Sequence, residues 1–182
     1  EGEEMPVTVP GFKGGDRTSI ELPEIQRALV KALTDAGKKV IFVNYSGSAI
    51  ALTPESERCE AILQAWYPGQ AGGTAVADVL FGEYNPAGRL PITFYKNTEQ
   101  LPDFEDYSMK GRTYRYFTDA PLFPFGYGLS YTTFAYGDAH IYRADNAKND
   151  MLLYIPVTNT GKREGEEVVQ VYLRKPGDAD AP

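Results

Sequence analysis

The first residues of the chain hold carboxylates that could perform acid–base chemistry. Glu1, Glu3 and Glu4 lie close together, and the pair Asp16-Arg17 follows in the same loop-like stretch. Neighbouring charges of like and opposite sign move carboxyl pKa values apart, so that one group can donate a proton while another stays ionised. A solvated acidic segment is the alternative, because a shifted pKa also requires burial and partners. The spacing by itself leaves both interpretations open.

Three aromatic stretches, residues 66–69, 111–117 and 123–131, could hold a sugar. An aromatic ring can stack on the apolar face of a sugar while neighbouring polar groups bind its hydroxyls. Packing in a core or an interface is the alternative interpretation of each stretch.

Other reaction types find little support in the residue types present. His140 and Cys59 are the single histidine and the single cysteine of the chain, so a zinc site built from several of these residues is excluded. The sequence has no Gly-x-Ser-x-Gly nucleophile motif. The glycine-rich stretch 69–74 lacks the dinucleotide and P-loop spacings and favours a strand-to-helix turn. We therefore expect no metal, nucleotide or flavin cofactor.

Composition narrows the classes of partner. The 182 residues are 42% hydrophobic and 24% charged, which is typical of a globular chain. The net charge of −7, with no basic run longer than a pair, argues against nucleic acid as a partner. No apolar run approaches the ~18 residues of a membrane helix. The chain begins without Met or a signal peptide and ends soon after a strand-like run. These ends predict an excised segment, whose localisation cannot be read from it.

Helices that alternate with apolar strands must position these residues. A helix with one apolar face is predicted, with Pro23 at its first position and Gly37 at its stop. That face consists of Ile25, Ala28, Leu29, Ala32, Leu33 and Ala36. Residues 40–43 predict an interior parallel strand buried on both faces. Further predictions are strands at 61–66 and 90–94 and a helix from Thr74 to Phe81 that ends at Gly82. The pattern predicts an α/β fold, a three-layer α/β/α sandwich with a mainly parallel sheet.

The pattern changes near residue 120. Turn-forming residues recur through 123–131, and strand-like runs follow at 152–157 and 167–173. Two or three strands cannot close a β-sandwich, so this all-β part is predicted to be truncated. The predicted organisation is an α/β domain over residues 1–122, a connector over 123–135 and the beginning of a β-sandwich over 136–182.

Five phrases of the sequence together resemble family 3 glycoside hydrolases of the β-glucosidase and β-xylosidase type, in the family's order and spacing. They are Ala65-Trp66-Tyr67-Pro68-Gly69-Gln70 with Gly72-Gly73, Asp78-Val79-Leu80-Phe81-Gly82, Asn85-Pro86-Ala87-Gly88-Arg89-Leu90-Pro91, Gly111-Arg112-Thr113-Tyr114-Arg115-Tyr116 and Phe123-Pro124-Phe125-Gly126-Tyr127-Gly128-Leu129-Ser130-Tyr131. Residues 157–161 and 165–173 are similar to the start of the fibronectin-III-like domain that follows in many members.

The resemblance implies a retaining, exo-acting β-glycosidase whose active site is shared between domains. An N-terminal barrel, which is not part of this sequence, would hold the aspartate nucleophile, and this domain would supply the glutamate acid/base. In the family that glutamate often stands in a Ser-Gly-Glu-Gly or Glu-Gly-Glu-Gly phrase before Asp-Arg. The matching phrase places it on Glu3, with Glu1 and Glu4 as alternatives, because Glu4 replaces the final glycine and residues 5–15 intervene before Asp16.

The implied substrate is an oligosaccharide or glycoside, with no cofactor and with the barrel as the partner domain of the same chain. The choice between glucose and xylose is not readable here. The resemblance favours a periplasmic or secreted protein. A non-catalytic carbohydrate-binding or adhesive module is the alternative function.

Overall fold

The structure is a computed structural model, and it describes residues 10–13, 16–143, 151–173 and 176–177. Its regular elements, in chain order, are strands β1 (Phe12–Lys13) and β2 (Asp16–Arg17), helix α1 (Glu24–Asp35), strand β3 (Ile41–Asn44), helix α2 (Thr53–Arg58), strand β4 (Ala61–Gln64), helix α3 (Gly72–Phe81), a 3-10 turn (Thr98–Gln100), helix α4 (Thr113–Tyr116), and strands β5 (Phe134–Tyr136), β6 (His140–Arg143), β7 (Met151–Tyr154) and β8 (Val157–Asn159).

The chain divides into two units. The first comprises residues 1–73, 90–127 and 172–182, and the second comprises residues 74–89 and 128–171. The sequence-based boundaries at residues 122 and 135 stay a prediction. No helix in the described ranges is long and apolar enough to cross a membrane.

Helix α1 forms where the sequence predicts it, but its apolar face is not buried. Pro23 precedes the helix and Gly37, at φ 72°, follows its end. Ile25 and Leu29 are 78% and 61% exposed, whereas Val30 is buried. Helix α1 instead turns Arg27 toward α2, where its guanidinium donates to the Ala51 carbonyl at 3.1 Å. The apolar face that the periodicity predicts is therefore not the buried face of α1. Periodicity shows that a helix has an apolar stripe, but it does not show which element packs against that stripe.

Strands β3 and β4 form the predicted parallel pair, with Ile41 opposite Ala61 and Asn44 opposite Gln64. The prediction of an interior strand buried on both faces is wrong at Ile41, which is 51% exposed. Within the described residues β3 pairs with β4 alone. An apolar run shows that a strand tolerates burial, whereas the number of neighbouring strands depends on the rest of the sheet. Helices and a parallel pair confirm an α/β unit.

The core of the first unit lies beside this pair. Leu22, Ile50 and Leu52 are buried together, and Phe42, Ile62 and Leu122 pack against them. The Ala51 amide donates to the Ile20 carbonyl at 2.9 Å, and Glu21 forms an isolated parallel bridge with Ala51. The segment before α1 is therefore held beside residue 51.

Two further predictions need correction. Helix α3 begins at Gly72 and not at Thr74. Position 72 requires glycine, because a Cβ there would lie 2.6 Å from the Cγ of Pro68. The end of α3 before Gly82, at φ 81°, is confirmed. Residues 90–94 do not form a strand; a single antiparallel bridge joins Phe94 to Phe123.

The second unit contains two antiparallel pairs, β5 with β8 and β6 with β7. The strand predicted over 152–157 is interrupted at Ile155 and Pro156, because proline has no N–H to donate to a ladder. Residues 167–173, predicted as a strand by alternation, form no regular strand. A partly buried ion pair between Arg89 and Glu167, with both carboxylate oxygens accepting at 3.0–3.1 Å, also stabilises this unit.

Candidate functional site

The structure describes only part of the acidic stretch at the start of the sequence. Glu1, Glu3 and Glu4 fall outside the described residues, so their assignment stays a prediction. Asp16 and Arg17 form β2, are exposed and pair with β1. The Arg17 guanidinium donates to the Glu21 carbonyl at 2.7 Å.

Glu21 anchors the segment that follows this hairpin. Its carboxylate accepts from the Thr98 amide at 2.7 Å, from the Thr98 hydroxyl at 2.5 Å and from the Ser19 hydroxyl. Partial burial raises the pKa of Glu21, but the hydrogen bonds from Ser19 and Thr98 outweigh it and bring the pKa to about 2. Glu21 is therefore ionised at neutral pH and is unsuited to donate a proton.

Sequence reasoning missed Glu21. Its main partner lies 77 residues away along the chain, and no local motif links the two positions. The sequence shows only that this glutamate precedes Leu22 and Pro23, just before a predicted helix. That arrangement by itself predicts no particular role.

Two of the three aromatic stretches meet at one cavity in the first unit. The cavity measures about 550 Å³, and its lining includes α4 from the stretch 111–117 and Phe125 from the stretch 123–131. Tyr114 stacks on Phe125 with ring centroids 4.4 Å apart and planes at 28°. Tyr114 is 45% exposed, and the Arg115 guanidinium carbon lies 5.7 Å from the centroid of its ring. The volume lies within the range of small-molecule sites.

Polar groups are few in this cavity. The Tyr95 hydroxyl accepts the Thr113 amide at 3.0 Å. The hydroxyl of Thr93 is buried and has no hydrogen-bond partner among the described residues. Arg115 is the charged residue of the described lining, and its Nε donates to the Tyr114 hydroxyl at 3.2 Å. The cavity thus combines an aromatic ring, hydroxyl groups and one cation.

The third aromatic stretch serves packing. Trp66, in the left-handed region at φ 55°, contacts buried Phe94 edge-on at 6.2 Å. Tyr67 is 78% exposed, and its ring lies where a Cβ on Gly47 would approach to 2.5 Å. The packing interpretation therefore describes Trp66 better than a sugar platform does.

Two candidate groups of the sequence remain, the single histidine and the single cysteine. His140 is exposed in β6 of the second unit. Cys59 is a free thiol whose pKa is raised by burial and by the charge of Glu55. A raised pKa lowers the thiolate fraction, so this thiol is a poor nucleophile at neutral pH. In the described ranges no group of three His, Cys, Asp or Glu side chains is arranged to hold a metal.

Comparison with known proteins decides the family. Residues 1–131 match the model of the glycosyl hydrolase family 3 C-terminal domain. The chain belongs to glycosyl hydrolase family 3. The resemblance carried by the five motifs is thereby confirmed, whereas the family match ends at residue 131 and leaves the fibronectin-III-like segment a prediction.

Relatives and solved structures of this family agree. The chain is 68% identical over its whole length to a xylan 1,4-β-xylosidase of Xylanibacter ruminicola, of which it covers 21%. It is 42% identical over 89% of its length to a periplasmic β-glucosidase of Salmonella typhimurium, of which it covers 23%. A β-glucosidase 3B structure from Thermotoga neapolitana matches 80% of this chain, and this chain covers 23% of it, with 33% identity and a TM-score of 0.71.

This family 3 chain spans about a fifth of the length of the curated relatives that it matches. The family model that residues 1–131 match is that of a C-terminal domain.

Proposed function

We propose that the full-length protein containing this chain is a retaining, exo-acting β-glycosidase that releases terminal xylose from β-1,4-linked xylo-oligosaccharides. The identity of 68% along the whole chain to a xylan 1,4-β-xylosidase carries this proposal. Within it, residues 1–122 contribute to a three-layer α/β/α sandwich, and residues 136–182 begin a fibronectin-III-like domain.

The mechanism requires two carboxyl groups on opposite sides of the scissile bond. By family resemblance, an aspartate on a preceding barrel attacks the anomeric carbon, while Glu3 protonates the leaving oxygen. Water activated by the same glutamate then hydrolyses the glycosyl-enzyme with retention of configuration. Glu1 and Glu4 are the alternative acid/base residues. Asp16 and Arg17 follow the glutamate phrase, but residues 5–15 intervene, so the choice among Glu1, Glu3 and Glu4 stays open.

A β-glucosidase is the second candidate, because relatives and solved structures of this type match at 33–42% identity. The name of the Salmonella relative also supports periplasmic or secreted localisation.

The experiment is a comparison of kcat/KM for 4-nitrophenyl β-xyloside and β-glucoside with the purified full-length protein. We expect the xyloside to be preferred by at least about tenfold, and product analysis by NMR to show retention. A preference for the glucoside would select the second candidate. Binding of xylo-oligosaccharides without turnover of either glycoside would instead support the non-catalytic carbohydrate-binding module.

A further inference from the structure

We propose that the cavity between α4, residues 91–95 and Phe125 binds a sugar unit of the β-linked oligosaccharide substrate. This inference rests on the proposed function, because it takes the substrate class from there. It goes beyond it by assigning a binding site to Tyr114, Thr93 and Tyr95.

Tyr114 supplies the stacking surface. The residue is 45% exposed, the Arg115 guanidinium carbon lies 5.7 Å from its ring centroid, and two aromatic rings hold it in place. Phe125 stacks against it at 4.4 Å, and Tyr172 packs edge-on at 6.0 Å. A ring fixed by neighbours loses little conformational freedom on binding, and its face suits the C–H surface of a pyranose.

Two hydroxyl groups supply hydrogen bonds beside this ring. The Tyr95 hydroxyl accepts the Thr113 amide and keeps its own proton for donation. Thr93 belongs to the cavity lining, and its hydroxyl is buried and has no hydrogen-bond partner among the described residues. An unsatisfied buried hydroxyl destabilises a protein, so a ligand that offers a matching group gains affinity there. Rotation about χ1 of Thr93 moves the hydroxyl between staggered positions and can turn it to the ligand.

The backbone around the cavity is held in a strained conformation. Thr113 has φ 59°, which a β-branched residue rarely adopts. Its amide is bound by Tyr95, and the preceding Arg112 donates to the carbonyls of Ser108, Asp103 and Asp106. Strain of this kind persists where the surroundings enforce it, and it is concentrated at ligand sites. Here it presents Tyr114 and Tyr116 to the same cavity.

The charges of the lining favour a neutral, hydroxyl-rich ligand. No carboxylate belongs to the described lining, and Arg115 is exposed and bonded to the Tyr114 hydroxyl. A cationic ligand would lack a counter-charge, and a purely apolar one would leave the hydroxyls of Thr93 and Tyr95 unmatched. A sugar offers both a C–H face and hydroxyl groups.

The test uses the full-length protein and thioether-linked xylotriose, which a glycosidase does not hydrolyse. A crystal structure of the complex is expected to show a xylose ring over Tyr114, with a hydroxyl within hydrogen-bond distance of Thr93 Oγ1. By calorimetry, Tyr114→Ala is expected to weaken binding about tenfold and Thr93→Val about fivefold. Tyr114→Phe, which keeps the ring, is expected to bind within about threefold of the wild type.

The matched control is Tyr107→Ala, because Tyr107 is 90% exposed and lies outside the cavity lining. It is expected to leave the Kd unchanged, and all variants are checked for wild-type melting temperature. A cavity that is empty at saturating xylotriose, or filled by another part of the polypeptide, would overturn the inference. If the cavity holds no xylotriose and the protein hydrolyses the aryl xyloside, this inference alone is overturned. If the cavity holds xylotriose and the protein shows no turnover, the proposed function is overturned and the binding site is kept.

Discussion

At the residue scale, the environment of Glu21 is the opposite of the one that a general acid needs. Glu21 receives hydrogen bonds from Ser19 and Thr98 that stabilise its charged form. A general acid needs the reverse, an environment in which the protonated form persists near neutral pH. Glu21 is therefore unsuited to that role, and Glu3, which the family phrase suggests, stays the proposed proton donor.

Replacing Glu3 by Gln in the full-length protein keeps the side-chain shape and removes the proton donor. We expect kcat/KM for xylobiose to fall by about 10²–10⁴, the range of general acid catalysis. The loss should be smaller for 2,4-dinitrophenyl β-xyloside, whose leaving group needs little protonation. Steady-state kinetics with both substrates measure the difference.

Glu1→Gln and Glu4→Gln are the matched controls, since they remove carboxylates from the same phrase. If one of them shows the leaving-group dependence and Glu3→Gln does not, the acid/base role belongs to that residue.

At the element scale, the hydrogen bonds of Glu21 join the segment before α1 to the 3-10 turn Thr98–Gln100. The Ile20 amide donates to the Thr98 hydroxyl at 3.0 Å, and the Thr98 amide donates to Glu21. The Ile20 carbonyl also accepts from the Ala51 amide, so the segment is held at two adjacent residues, Ile20 and Glu21.

The anchor should lose stability in acid. The pKa of Glu21 is lowered from 4.5 to about 2, so its contribution is fully present above pH 4.5 and disappears as the pH falls toward 2. Full protonation would cost up to about 3 kcal/mol, less where solvent screens the carboxylate. We expect the hydrogen-exchange protection of the Thr98 amide, corrected for intrinsic rate, to decrease over this pH range.

Glu21→Gln should remove most of that pH dependence and lower the protection at pH 7 by about ten- to a hundredfold. Glu24→Gln, at an exposed position in the first turn of α1, is the control and should behave as the wild type. An equal pH dependence in Glu21→Gln would show that another group controls the anchor.

At the scale of the whole molecule, the described α/β unit leaves apolar surface uncovered. Ile25 and Leu29 of α1 and Ile41 of β3 are each more than half exposed. Exposed apolar side chains that cluster can mark an interface, whereas single ones are normal on a protein surface.

We expect this chain, purified by itself, to show no turnover of aryl β-xylosides under conditions in which the full-length protein is active. The reason is that a retaining mechanism needs two carboxyl groups about 5–5.5 Å apart, and the resemblance places one of them on the barrel. The release of nitrophenol, followed directly by its absorbance, measures the turnover. Turnover by the purified chain, after exclusion of a contaminating glycosidase, would contradict a site shared between domains.

The sequence determined the family and the local elements. Helix α1, the parallel strands β3 and β4 and the end of α3 before Gly82 follow from periodicity, apolar runs and glycine placement, all of which are local properties. The five motifs sufficed for the family because their order and spacing are specific. The acid/base assignment to Glu3 also came from the sequence, and it stays a prediction.

Only the tertiary structure decided which side chains meet. It brought Tyr114 to Phe125 and Glu21 to Thr98, and it left Ile41 and the apolar face of α1 exposed. It also left residues 90–94 without a strand, since a strand persists only where a partner accepts and donates its backbone hydrogen bonds. The physical reason is common to these cases: periodicity records what a residue tolerates locally, whereas contacts between distant segments depend on how the chain folds.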